Sequence, residues 1–282
     1  MRWDGGRGGG GVEDRRGLGR VGIAGGGLGT LALALVGYFV FGIDPFVTQQ
    51  VVSQFDQPSQ QRGVEGTPED REGRFVDVVS ANVNDVWSAK LQGYQAPRVV
   101  LYEQGTSTAC GHGQAAMGPF YCPMDRTVYL DLSFWREMET RLGASSAEFA
   151  RAYVIAHEIG HHVQTITGTS ERVRAAQQRS GNKAAANQLS VGMELQADCY
   201  AGVWAANAST ASNGKVSLEP GDLEEGLRTA RAIGDDALQK RSSGRVVPEN
   251  FTHGSSEQRM TCLKRGYQSG EPKDCDTFAA AR

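Results

Sequence analysis

The sequence predicts an α+β domain on three observations. Short β-branched and aromatic runs cluster between residues 98 and 132, helical periodicity takes over after Leu132, and one helical stretch precedes the strands. That first helix is expected from Gly73 to Leu91, because Phe75, Val78, Val79, Val83, Val86 and Trp87 recur at three- and four-residue intervals on one face. Arg98 to Glu103 (RVVLYE) reads as a strand. Phe120 to Cys122 and Thr127 to Leu132 flank Pro123, Met124, Asp125 and Arg126, the pattern of a hairpin in a small antiparallel sheet.

The 282 residues divide into four stretches. Residues 1–20 are rich in Gly and Arg and read as a disordered tail. Residues 21–43 carry no charge over 23 positions, and a helix of that length is about 34 Å, enough to span a bilayer. Arg2, Arg7, Arg15, Arg16 and Arg20 precede this stretch and no Lys or Arg follows until Arg62, so the positive-inside rule expects a cytoplasmic N-terminus and an extracytoplasmic domain. A cleaved signal peptide is the competing reading, but the apolar stretch is long for one and no small-x-small cleavage site follows before Asp44. Residues 44–73 hold six Gln between 49 and 61, then Gly, Pro and acidic residues, and read as a linker. One folded domain, 74–282, remains.

The formal net charge is −3, which leaves no basic surplus for a phosphate backbone and argues against nucleic acid as a partner. The five cysteines form no C-x-x-C pair. Cys110 with Cys122 and Cys262 with Cys275 would make two short-range disulfides in an oxidising compartment, leaving Cys199 as a buried thiol.

The chemistry concentrates after Ser145 and Glu148, which form an S-x-x-E capping box and predict a helix running until Gly168. His157 and His161 lie on it four residues apart, so both imidazoles fall on one face and can reach a single zinc ion. Glu158 lies about 100° around the helix, placed to meet a metal-bound water. His162 points away from His161 and stays outside the ligand set; His112, between glycines, reads as exposed. The longer motif with a third histidine fails, since Gln164 and Thr167 stand at its glycine and histidine positions. In LSVGMELQADCYAGVWAA (189–206), Glu194 and Asp198 share a helix face amid apolar residues, where burial demands a partner. Glu194 is therefore assigned as third ligand and Asp198 as the acceptor that orients His157. A solvated acidic stripe on a surface helix is the alternative for this pair.

HEIGHH, followed 33 residues after His161 by ELQADCYAG, resembles the bacterial family of neutral zinc metallopeptidases with an N-terminal membrane anchor. The similarity extends through CGHGQAAMGPFYCPMDRTVYLDLSFW (110–135) and FTHGSSEQR (251–259). It implies a zincin-like, gluzincin-like fold and peptide-bond hydrolysis.

Zinc would acidify its water and polarise the scissile carbonyl, while Glu158 takes the proton and returns it to the leaving amine. His253 is the candidate oxyanion stabiliser, with capping of a helix near Ser255 as its other reading. An extended peptide could add to the hairpin of residues 118–132 as a strand. A tethered scaffold with structural zinc and a zinc hydrolase of non-peptide amides or esters are the rival functions.

Overall fold

The structure is a computed structural model that describes residues 1–16, 63–114, 118–140, 143–145 and 147–278. The expected anchor at 21–43 and the linker portion 44–62 lie outside the described residues. No helix of the described residues is long and apolar enough to cross a membrane.

The α+β class holds. Strand β1 (Val12–Asp14) and β2 (Val64–Gly66) precede helix α1 (Arg71–Lys90). Then come β3 (Arg98–Tyr102), the β4 (Gly105–Thr108) and β5 (Gly111–Gln114) hairpin, β6 (Phe120–Cys122) and β7 (Thr127–Asp131). The rest is helical: α2 (Phe134–Thr140), α3 (Glu148–Ile166), α4 (Thr169–Arg179), α5 (Lys183–Ala211), α6 (Asp222–Ala232), α7 (Asp235–Ser243) and α8 (Ser256–Ser269). The sheet is mixed rather than antiparallel. Its order is β2-β1-β3-β7-β6, with β1, β3 and β7 mutually parallel and an antiparallel strand at each edge. Parallel neighbours require crossovers, and here β4, β5 and β6 lie between β3 and β7 in the chain.

Helix α1 begins where Asp70 accepts a hydrogen bond from the Gly73 amide and buries Phe75, Val79, Val83, Val86 and Trp87. Helix α3 lacks the expected capping box. It starts at Glu148 after Ala147, and the Ser145 hydroxyl instead accepts from the Ala147 amide. Buried Phe149, Ala152, Tyr153, Ile155, Ala156 and Ile159 make α3 the centre of the core. Gly160 lets α5 approach, since a Cβ there would stand 3.2 Å from the Ala197 Cα. The crossing of α5 and α8 is tighter still: a Cβ at Gly266 would lie 1.8 Å from the Cys199 carbonyl oxygen.

The N-terminal residues are the largest departure from expectation. Residues 1–16 and 63–66 pack against the strands and helices that follow, with residues 12–14 and 64–66 paired in the sheet. Trp3 is 1% exposed and meets the Phe75 ring edge-on at 5.2 Å. Burying Trp3 and Val12 contributes roughly 1.5–3 kcal/mol apiece. The glycines that suggested disorder serve close approach: Gly9 and Gly10 donate their amides to Asp77 Oδ1 at 3.1 and 3.0 Å, and a Cβ at Gly6 would stand 2.4 Å from Val78. Strand β1 then sits inside the sheet between β2 and β3.

Two disulfides form, Cys110–Cys122 and Cys199–Cys275. The first is as expected. The second replaces Cys262–Cys275: Cys262, on α8, stays a buried thiol, and Cys199 on α5 faces the turn at Pro272–Cys275. Proximity in sequence favoured the wrong partner because the fold brings Cys275 to Cys199 on α5, with Cα atoms 5.6 Å apart, the separation a disulfide needs.

Candidate metal centre

His157, Glu158 and His161 sit in the middle of α3, and Glu194 faces them from α5. The His157 and His161 Nε2 atoms are 3.2 Å apart; Glu194 places Oε2 at 3.1 Å from the first and Oε1 at 3.4 Å from the second. Donors 2.0–2.1 Å from a tetrahedral zinc ion lie about 3.3–3.4 Å from one another, close to each of these distances, with the two Glu194 contacts made by its two different oxygens.

The tautomers carry the argument further. His157 donates from Nδ1 to Asp198 Oδ1 at 2.8 Å, and His161 donates from Nδ1 to Gln164 Oε1 at 2.8 Å. Gln164 is oriented because its Nε2 donates to the Met193 carbonyl at 2.7 Å. Each Nδ1 is thereby engaged, and both Nε2 atoms turn toward the Glu194 carboxylate, an arrangement that a cation at that point makes favourable. The field agrees. Burial disfavours charge on His157, but Asp198 and Glu194 outweigh it and push the imidazole up to about 10. Burial also opposes ionisation of Glu194, yet His161 and the other imidazoles hold its carboxyl well below the usual range. The pocket selects positive charge.

Asp198 is wholly buried and receives four hydrogen bonds. His157 and the Tyr153 hydroxyl (2.5 Å) donate to Oδ1, as does Arg259 Nη2 (2.9 Å), while Arg259 Nε donates to Oδ2 (2.9 Å). Burial works against the carboxylate, but Arg259 and His157 hold it at about 2. Tyr153, Gln164 and Arg259 were not singled out from sequence. Tyr153 and Gln164 stand one turn before His157 and three residues after His161, so the same face of α3 was the available signal.

Glu158 is buried beside the two imidazoles, and burial raises its carboxyl above the ordinary 4.5, with His157 and His161 pulling the other way. His253 lies in the loop before α8. Asp235 Oδ2 accepts the amides of Thr252, His253 and Gly254 at 2.8, 2.7 and 3.0 Å, and Asp235 Oδ1 lies 3.5 Å from His253 Nδ1. The His253 side chain is 42% exposed. Burial lowers its affinity for a proton, but the Glu194 and Asp235 charges raise it on balance. The cap of α8 is Ser255, in a capping box with Gln258, so His253 is free of that duty. His162 is buried away from the centre, between Tyr121 and the Gln95 carbonyl, and His112 is exposed on β5.

The family model described as "Putative neutral zinc metallopeptidase" matches residues 1–278. The chain belongs to this family. It is 47% identical over 294 residues to the uncharacterized protein YpfJ of Escherichia coli strain K12, covering 99% of each chain. The uncharacterized protein Mb2605 of Mycobacterium bovis is 44% identical over 218 residues, 74% of this chain and 72% of that protein. No solved structure matches.

Proposed function

We propose that the chain is a zincin-like peptidase that uses one zinc ion, held by His157, His161 and Glu194, to hydrolyse peptide bonds. The convergence of two oriented Nε2 atoms and one carboxylate supports this reading most directly. Among the described residues this cluster holds three candidate ligands. A catalytic zinc keeps a position open in this way, whereas a structural one is normally closed by four protein ligands.

When bound there, zinc would lower the pKa of a water and polarise a carbonyl. Glu158 takes the proton of the attacking water and delivers it to the departing amine. His253, held by Asp235, donates toward the carbonyl oxygen as that atom gains charge. Among the described residues β6 pairs only with β7, so its outer edge could take an extended peptide. The contact of Tyr121 of β6 with His162 of α3 at 3.0 Å supports a peptide path along that edge.

The test is cleavage of a denatured-peptide library by the full chain, with products read by mass spectrometry, with and without chelator. Chelator-sensitive peptide products are expected. Turnover of small esters or amides without any peptide product would overturn peptide specificity, and Glu158→Gln should keep stoichiometric zinc while losing turnover.

A further inference from the structure

We infer that the N-terminal residues 1–16 and the metal centre lie on the same side of the membrane. This replaces the single crossing expected from charge and hydropathy. The residues on either side of 17–62 are neighbours in the sheet: Val12 pairs with Gly66 and Asp14 with Val64 in an antiparallel ladder, and the Gly63 amide donates to Glu13 Oε1 at 2.8 Å. Strands so paired are about 5 Å apart. One passage through residues 21–43 would deliver the chain to the far face. Its return would then have to be made by residues 44–62, which carry Asp44, Asp56, Arg62 and six Gln and cannot cross hydrocarbon.

The arm is built into the fold. It supplies β1 between β2 and β3, buries Trp3 against Phe75, and exchanges two backbone hydrogen bonds between Arg2 and Ser217 at 3.0 Å. The family pattern likewise runs from residue 1. Three of the five arginines that suggested a cytoplasmic N-terminus are held in the fold: Arg7 pairs with Asp85, Arg15 with Glu13, and Arg16 with Asp14 and Asp70. Disulfides Cys110–Cys122 and Cys199–Cys275 put that common side in an oxidising compartment.

The test uses the full-length chain in cells. Arg7→Cys on the arm and Glu224→Cys on α6 place single exposed thiols, with the unsubstituted chain, whose one free thiol Cys262 is buried, as background. A membrane-impermeant maleimide should reach both positions from the same face, at the intact cell surface or only after the cells are opened. In the double variant Arg7→Cys/Asp85→Cys, a permeant bis-maleimide should crosslink arm to α1. Labelling of the two positions from opposite faces overturns the inference. So does a double variant whose thiols each label and yet never crosslink.

Discussion

Arg259 grips Asp198 through two hydrogen bonds of 2.9 Å, 61 residues away in the chain, and both side chains are almost completely buried. Asp198 in turn orients His157. The guanidinium would therefore act on a metal held by His157 through two intervening groups, and it also balances a charge that the core would not otherwise tolerate. Arg259→Met should cost about 3–5 kcal/mol in urea unfolding, because it strands the carboxylate. Asp198→Asn should weaken zinc binding by roughly 10–100-fold, measured by competition with a metal indicator, and should perturb the fold less than loss of Arg259. Equal zinc affinity in Asp198→Asn and the parent would show that the orienting contact is idle.

Glu194→Gln removes the charged corner of the triangle while leaving its shape. Zinc stoichiometry after dialysis should fall well below one, in contrast to Glu158→Gln, which keeps the metal. The contrast separates ligand from base: if both variants retained zinc equally, Glu194 would not be a ligand.

How much of this was legible depends on how local each signal is. His157, Glu158 and His161 fall within one turn of helix, and Glu194 and Asp198 announced themselves as carboxylates in an apolar run. Arg259 gave no comparable sign, since its partner stands on another helix and such a pairing leaves no periodic trace. Strand β1 is three residues long after a run of glycines, too short for alternation to register, and its place in the sheet depends on β2 and β3. The Cys199–Cys275 bond was hidden for the same reason, spanning 76 residues while a nearer cysteine competed on paper.

That disulfide yields a mapping prediction. Proteolysis without reduction should release Cys110 linked to Cys122 and Cys199 linked to Cys275, with Cys262 alkylated only after unfolding, because burial pushes its thiol up to about 11 and away from solvent. A closed loop of this length stabilises by about 4.5 kcal/mol in the chain-entropy account, so Cys275→Ser should unfold at markedly lower urea concentration. A fragment linking Cys262 to Cys275 would restore the pairing that proximity suggested.

Trp3 tests the arm energetically. With its ring buried against Phe75, Trp3→Ala should cost about 3–5 kcal/mol, whereas truncating a side chain on a disordered tail would cost nothing. Unfolding midpoints of the two proteins decide between these outcomes.

Acid should loosen the same arm. Glu13 is buried in β1; burial alone would raise its carboxyl, but the Arg15 hydrogen bond, the Gly63 amide and the charges of Arg15 and Arg98 outweigh it and hold the group below its ordinary 4.5. A carboxyl depressed in the folded state contributes stability that is fully present above its unfolded value and is lost as pH falls through the folded one. Stability should therefore decline below about pH 4.5, through protonation of Glu13 among other depressed carboxyls. Glu13→Gln should flatten that part of the curve while lowering stability at neutral pH, where the charge is gone but Arg15 and Arg98 remain. Urea unfolding of both proteins at neutral pH and at pH values below 4.5 measures the difference. An unchanged slope in Glu13→Gln would mean that the ion pairs of β1 contribute nothing to the attachment of residues 1–16.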